Sequence, residues 1–292
     1  MNAPIESLKS LALVEVSGAS AIYTAVIDPI FTIGPKVHGG SLQLLCAQAA
    51  LTGFADTADD PAAADGLAPV SVATNFLSAP DPAEVSVIVT VRKRGRRISL
   101  VDVEVRQNDR VMIDTTITLG ALDSGAGHWS AVTQASSTLA DMPIEPPAGI
   151  MFVHESPMAG LVNWSGAIHA AYDPETMKAD GRTRPPVYRF WIKPADDEPD
   201  DLLAIFACDA SAPVVINLGL AGWAPTVQLT TYLRRSPAPG WLRVESRTSD
   251  VGQDWFDEDH VIIDSTGLVV AHSRQLALVP KGFADMGPGN PS

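Results

Sequence analysis

The chain has 292 residues, 46% apolar and 18% charged, with a formal net charge of −14. At about 150 residues per domain this length fits two domains or one large one, and the apolar share excludes a disordered chain. The acidic balance excludes nucleic acid or an anionic membrane as the main partner, because phosphate binding rests on Lys and Arg. As a net figure it also weighs against any polyanionic small ligand.

The N-terminus, MNAPIESLKSLALVEVSG, has no basic segment leading into a long apolar one, so no secretory signal is expected. A first helix opens at Gly39-Gly40-Ser41 and places Leu42, Leu45, Cys46 and Ala49 at i, i+3, i+4, i+7 spacing. After it, Val85, Val87, Val89 and Val91 alternate with polar residues. Val101, Val103 and Val105 follow, and then Ile113, Ile117 and Leu119. This period of two marks strands with one buried face. The short joints RKRGRR and QNDR read as hairpins, so the sheet is expected to be antiparallel. Residues 122–160, rich in Gly, Ser and Pro, read as a linker.

A second helix has an acidic first turn at Asp200 and Asp201, with a stripe of Leu202, Ile205, Phe206 and Asp209. Strands near 226–234, 241–248, 256–264 and 268–279 follow, and residues 281–292 read as a loose tail. The apolar stretch from Leu202 to Pro225 carries Asp209, Pro213 and Asn217, so it reads as core rather than as a membrane span. Cys46 and Cys208 lack a CxxC partner or a metal-ligand spacing. They are expected to be free thiols in a reducing cytoplasm, without a disulfide or a bound metal.

The elements repeat. APVSVATNFL at 68–77 matches APTVQLTTYL at 224–233, an offset of 156. VMIDTTITLGAL from Val111 matches VVAHSRQLALVP at an offset of 157 to 158. One apolar helix against a long antiparallel sheet, twice over, is an α+β arrangement with domains at 1–121 and 161–280.

Asp209 is the most informative single position, because helical spacing puts its carboxylate on the apolar face, aimed at the sheet. Burial of an unpaired carboxylate is costly, so it is either bonded to a nearby amide or side chain, or used. Gln275 lies in the last strand among Ala271, Ser273 and Ala277, where small neighbours leave space for a ligand; an exposed edge position is the plainer reading. Thr226 opens a strand and is also simply a good strand former. The nucleophile elbow GxSxG and the phosphate loops GxGxxG and GxxxxGK[ST] are absent from the sequence. Cys208 has no His at local spacing to activate it as a nucleophile.

The double-copy layout, HGG at His38 to Gly40, FACD ending at Asp209, TVQLTTYLRRSP and VAHSRQ ending at Gln275 together resemble the acyl-CoA thioesterase II family. The likeness covers roughly residues 20–280. It implies two tandem hotdog folds, each a long antiparallel sheet wrapped around one helix. It implies hydrolysis of acyl-CoA to a free fatty acid and CoA, with no cofactor beyond the CoA of the substrate. The family's water-activating Asp, Thr and Gln fall on Asp209, Thr226 and Gln275. Backbone amides at Gly39 and Gly40 are candidates to hold the thioester carbonyl oxygen.

His38 carries no catalytic weight in this reading. The hotdog hydratases follow their Asp with a His, whereas ASAPVVIN follows Asp209 here. The alternative function is a non-hydrolytic hotdog protein that binds acyl-CoA or acyl carrier protein. Arg92, Lys93, Arg94, Arg96 and Arg97 gather five of the 20 basic residues in one turn. This is either a solvated hairpin tip or, with Arg234 and Arg235 at the matching strand end, a seat for the CoA phosphates. Apolar sheet edges and low charge content predict a homodimer of double hotdogs.

Overall fold

A computed structural model describes residues 4–125, 127–130, 139–178 and 185–282. A short helix α1 (Pro4–Ser7) precedes strands β1 (Ala12–Ser17) and β2 (Ser20–Val26) and a small hairpin of β3 (Thr32–Ile33) and β4 (Lys36–Val37). Helix α2 (Gly39–Asp56) follows, then β5 (Ala68–Phe76), β6 (Glu84–Lys93), β7 (Ile98–Gln107) and β8 (Arg110–Gly120). The second half contains β9 (Ile168–Tyr172), β10 (Val187–Pro194) and helix α3 (Asp201–Ala207). It closes with β11 (Thr226–Leu233), β12 (Leu242–Arg247), β13 (Trp255–Ile263) and β14 (Val269–Leu278).

Apart from the β3–β4 hairpin, these strands form one antiparallel sheet in the order β1-β2-β6-β7-β8-β5-β11-β14-β13-β12-β10-β9. The order is palindromic in the two copies. The matched segments β5 and β11 pair at the centre, with Ala73 opposite Thr230 and Thr74 opposite Leu229. Burial and the register shifts match the two strands at an offset of 157, one more than the sequence match: Val72 and Thr74 face inward as Leu229 and Thr231 do, so a pseudo-twofold axis passes through the Ala73–Thr230 pair.

The alternating valines of β6 and β7 are buried beneath α2, with Val87, Val89, Val101, Val103 and Val105 fully enclosed. The α2 helix is enclosed around most of its circumference, since Leu44, Cys46, Ala47, Ala49 and Ala50 are all inaccessible. A Cβ at Gly53 would lie 2.6 Å from Val89 Cγ1, so glycine sets the close approach of helix to sheet. The QNDR joint forms the β7–β8 hairpin, with Asn108 and Asp109 at φ of 51° and 60°, as a two-residue type I′ turn requires.

The repeat is not exact. The first-half helix has 18 residues, whereas α3 has only seven. The expected stripe through Asp209 is therefore too long by part of a turn. Helix α3 stops at Ala207 with Cys208 as its cap, and Asp209 is the next residue out. Pro213 disfavours helix at the residue before it, and the carbonyls of Cys208 and Asp209 find partners outside the helix.

Within the span read as linker, Leu139 and Met142 pack against Trp191 and Ile263. Trp191 Nε1 also donates to the Pro143 carbonyl at 2.8 Å. Residues 126, 131–138 and most of the expected tail, from 283 onward, lie outside the described residues.

Candidate active site

The N-terminus of α2 leaves backbone N–H groups without helical partners, and the residues there are His38, Gly39, Gly40 and Ser41. His38 is the cap: its Nδ1 accepts the Ser41 N–H at 3.3 Å. That leaves Nε2 as the protonated nitrogen of the neutral ring, donating to the Asp209 carbonyl at 2.8 Å. Burial lowers the His38 pKa, which favours this neutral form.

The Asp209 carboxylate enters the same corner. Its Oδ2 accepts the Gly40 N–H at 2.7 Å and lies 3.5 Å from His38 Nε2. The side chain therefore points at the start of the other copy's helix, not at the sheet as its spacing suggested. The uncapped amide and the positive end of α2 draw it there. Only 11% of the side chain is exposed. Burial pushes the Asp209 pKa above the usual carboxylate value, opposed by His38, His260 and the Gly40 amide.

Close approach explains the Gly-Gly pair. A Cβ at Gly39 would sit 2.6 Å from Asp209 Oδ2, and one at Gly40 would sit 2.6 Å from the Phe206 carbonyl oxygen. The Phe76 ring borders the same spot. Of the two glycine amides expected at the carbonyl oxygen, that of Gly40 is already engaged by Asp209.

Thr226 and Gln275 meet each other directly, Thr226 Oγ1 donating to Gln275 Oε1 at 3.1 Å. The register shifts between Thr226 and Gln228, which ends regular pairing beside Gln275. Gln275 is inward-facing and buried, not an edge residue. Ser273, two residues earlier on the same face of β14, donates to the Cys208 carbonyl at 3.2 Å. The strand bearing Gln275 is thus tied to the turn bearing Asp209.

Sequence reasoning missed His38 as a contact of Asp209, and it missed a polar cluster behind the turn: Tyr172, Ser211, Ser246, Glu258, His260 and Ser273. The signal was in WFDEDHVII, where the alternation that buries Phe256 and Ile262 also buries Glu258 and His260.

The other candidates lie elsewhere. Cys46 and Cys208 are free and fully buried, and burial pushes both thiols up to about 12, so neither is an available nucleophile. Arg92, Arg94, Arg96 and Arg97 are exposed. Arg92 faces Asp102 at 3.3 Å. Arg94 lies over the Phe54 ring and donates to Thr57 Oγ1, at the C-terminal end of α2. Asp209 binds the N-terminal end, about 27 Å away along the helix axis. Arg235 donates to the carbonyls of Val269 and Gly125. Strand register puts it at the same end of the sheet as the basic hairpin, opposite the Thr226–Gln275 pair. Among the described residues no group of His, Cys, Asp and Glu could hold a metal ion, and no helix is long and apolar enough to cross a membrane.

Solved structures share this architecture. A hot dog fold protein of Alicyclobacillus acidocaldarius superposes with a TM-score of 0.73 at 17% identity, covering 95% of this chain and 98% of that one. An acyl-CoA thioesterase II of Mycobacterium marinum gives 0.63 at 18% identity, covering 96% and 98%. A candidate thioesterase II of Thermobifida fusca gives 0.77 at 26% identity, covering 95% and 97%. The fold is therefore a tandem hotdog.

Residues 27–120 match the acyl-CoA thioesterase N-terminal domain, and residues 137–279 match the acyl-CoA thioesterase C-terminal domain. The chain belongs to the acyl-CoA thioesterase family. It is also 39% identical over 274 residues to uncharacterised proteins of Mycobacterium tuberculosis and Mycobacterium bovis, covering 90% of this chain and 92% of theirs.

Proposed function

We propose that this protein hydrolyses acyl-CoA thioesters to a free fatty acid and CoA, with Asp209 as general base and Thr226 and Gln275 as the groups that hold the water. The observation that carries the reading is a buried carboxylate fixed at a helix start, beside a strand that presents a hydrogen-bonded Thr–Gln pair. Oδ2 of Asp209 is held by Gly40, which leaves Oδ1 to accept a proton from water. The raised pKa makes that oxygen a stronger base than an ordinary aspartate.

The water oxygen bonds to the thioester carbon, and the carbon–sulfur bond breaks. The proton taken by Asp209 passes to the departing thiolate. The Gly39 amide, at the positive end of α2, is the remaining candidate to stabilise the carbonyl oxygen. The hairpin arginines and Arg235 stand a helix length from this chemistry, which weighs against their holding the phosphates of the same CoA.

Thiol release from a panel of acyl-CoAs tests the reading. Turnover by the wild type that is lost in Asp209→Asn supports it. Acyl-CoA or acyl carrier protein binding without turnover replaces it with the non-hydrolytic alternative.

A homodimer is part of the same proposal. Edge strand β1 is exposed along its whole length, with Leu13 at 54% and Val14 at 61%. Its outer edge has no neighbouring strand among the described residues. Such an edge is a template for a second chain. Light scattering should give about twice the 30.8 kDa of one chain; a monomer contradicts it.

A further inference from the structure

Strand β13 carries two ionisable groups that the hydrolytic scheme does not use. Glu258 is 0% exposed and His260 is 1% exposed, among core residues. Buried charges persist when they are paired and fully hydrogen-bonded, so their partners reveal their state.

The serine hydroxyls around this pair set the protons on its ring. Ser273 Oγ donates to the Cys208 carbonyl, so it meets His260 Nδ1, 2.9 Å away, with a lone pair. Ser211 Oγ donates to Glu258 Oε1 at 2.7 Å, so it too meets His260 Nε2, at 3.1 Å, with a lone pair. Ser246 Oγ donates to Glu258 Oε1, and Glu258 Oε2 accepts the Val214 N–H at 3.2 Å. Glu258 Oε1 itself lies 3.2 Å from His260 Nε2. With each hydroxyl proton committed, both ring nitrogens of His260 are donors. These bonds do not form a Ser–His–Glu nucleophile, since each serine hydroxyl donates to a group other than the imidazole.

These bonds converge on one turn. From Cys208 to Val214 the backbone is gripped by Ser273, His38, Tyr172 and Glu258. The Ser211 side chain is held by the Glu258–His260 pair. Glu258 is also the direct cross-strand neighbour of Gln275. We propose that Glu258 and His260 form a buried carboxylate–imidazolium pair that positions the Asp209 turn against the Gln275 strand. They are positioning residues; neither is placed to touch substrate. Their charges act on Asp209 with opposite signs, His260 favouring its ionised form and Glu258 opposing it, while His38 faces it as a neutral ring from α2.

The kinetic part of this inference rests on the hydrolytic reading of Asp209, whereas the structural part does not. Imidazole nitrogen-15 NMR of the full chain at neutral pH should show protons on both nitrogens of His260. In Glu258→Gln one of them should be lost, and the Val214 amide should exchange faster by about tenfold or more, with global unfolding unchanged in cooperativity. If the wild type is a hydrolase, Glu258→Gln should lower kcat by about 10- to 100-fold, as loss of an outer partner does at other sites, with KM within about twofold. A neutral His260 in the folded wild type overturns the proposal. So does a folded Glu258→Gln variant with unchanged ring protonation, Val214 exchange and kcat. Failure of the wild type to release thiol would instead strike the hydrolytic reading, leaving the NMR and exchange outcomes to decide this one.

Discussion

Asp209 bonds a backbone amide, the plainer of the two readings open to it from sequence, and that bond is made by Oδ2 alone among the described residues. Its raised pKa has consequences of fixed sign. In the proposed mechanism the ionised form is the active base, so kcat/KM should rise with pH through a midpoint above the ordinary aspartate value of about 3.9. A pH–rate profile checks this; a midpoint at or below that value contradicts it. The linkage to stability runs the other way. A carboxyl with a folded pKa above its unfolded one contributes stability below the unfolded value, and that contribution is lost as pH rises through the folded value. Asp209→Asn should therefore melt no lower than the wild type at neutral pH, while losing activity. A melting temperature lowered by several degrees would mean that the carboxylate is chiefly structural.

Among the elements, the proposed site is a meeting of the two copies. Asp209, Thr226 and Gln275 come from the second, but the amide that holds the carboxylate comes from α2 of the first. The strand pairing puts Pro69 and Ile117 where the second copy has Thr226 and Gln275, so the Thr–Gln pair occurs once. The α2 start is built for contact, and Gly40→Ala should push its new methyl into the Phe206 carbonyl. A cost of about 1–3 kcal/mol in denaturant melts is expected, together with reduced turnover. A fully stable, fully active variant would contradict the close packing.

Gln43 ties α2 to the central seam. It donates to Thr74 Oγ1 at 3.0 Å and to the Leu229 carbonyl at 3.1 Å, and its Oε1 accepts from Thr231 Oγ1 at 2.8 Å. Thr231→Val should strand that buried oxygen and cost about 1–3 kcal/mol in the same melts.

Most of the fold was legible as alternation and repeat. Strands β5 to β8 and β11 to β14 follow the valine and isoleucine pattern, and the two matched segments at 68–77 and 224–233 are the central strand pair itself. Strands β1, β2, β9 and β10 were not legible. Strand β1 is exposed on both faces, and β2 buries the small residues Ala21 and Ala25 beside Tyr23, which weakens the apolar signal. Of the site, residue types and strand positions were readable, but the direction of the Asp209 side chain was not. It depends on where α3 ends and on an amide 169 residues away.

For the whole molecule, the net charge of −14 says little about the proposed site, which holds one carboxylate at a helix start. The basic hairpin is the local exception to the acidic surface, yet it occupies the far end of α2. Simultaneous replacement of Arg96 and Arg97 by Ala should leave KM for an acyl-CoA within about twofold, because exposed charges at that range are largely screened. A much larger rise would return the hairpin to the substrate.

The most direct measurement is thiol release from a series of acyl-CoAs by wild type and Asp209→Asn, with folding of both verified by circular dichroism. The expected result is turnover by the wild type and a loss of about 10²-fold or more in kcat for the variant. No turnover by the folded wild type across the series, or undiminished turnover by the folded variant, would contradict hydrolysis through Asp209.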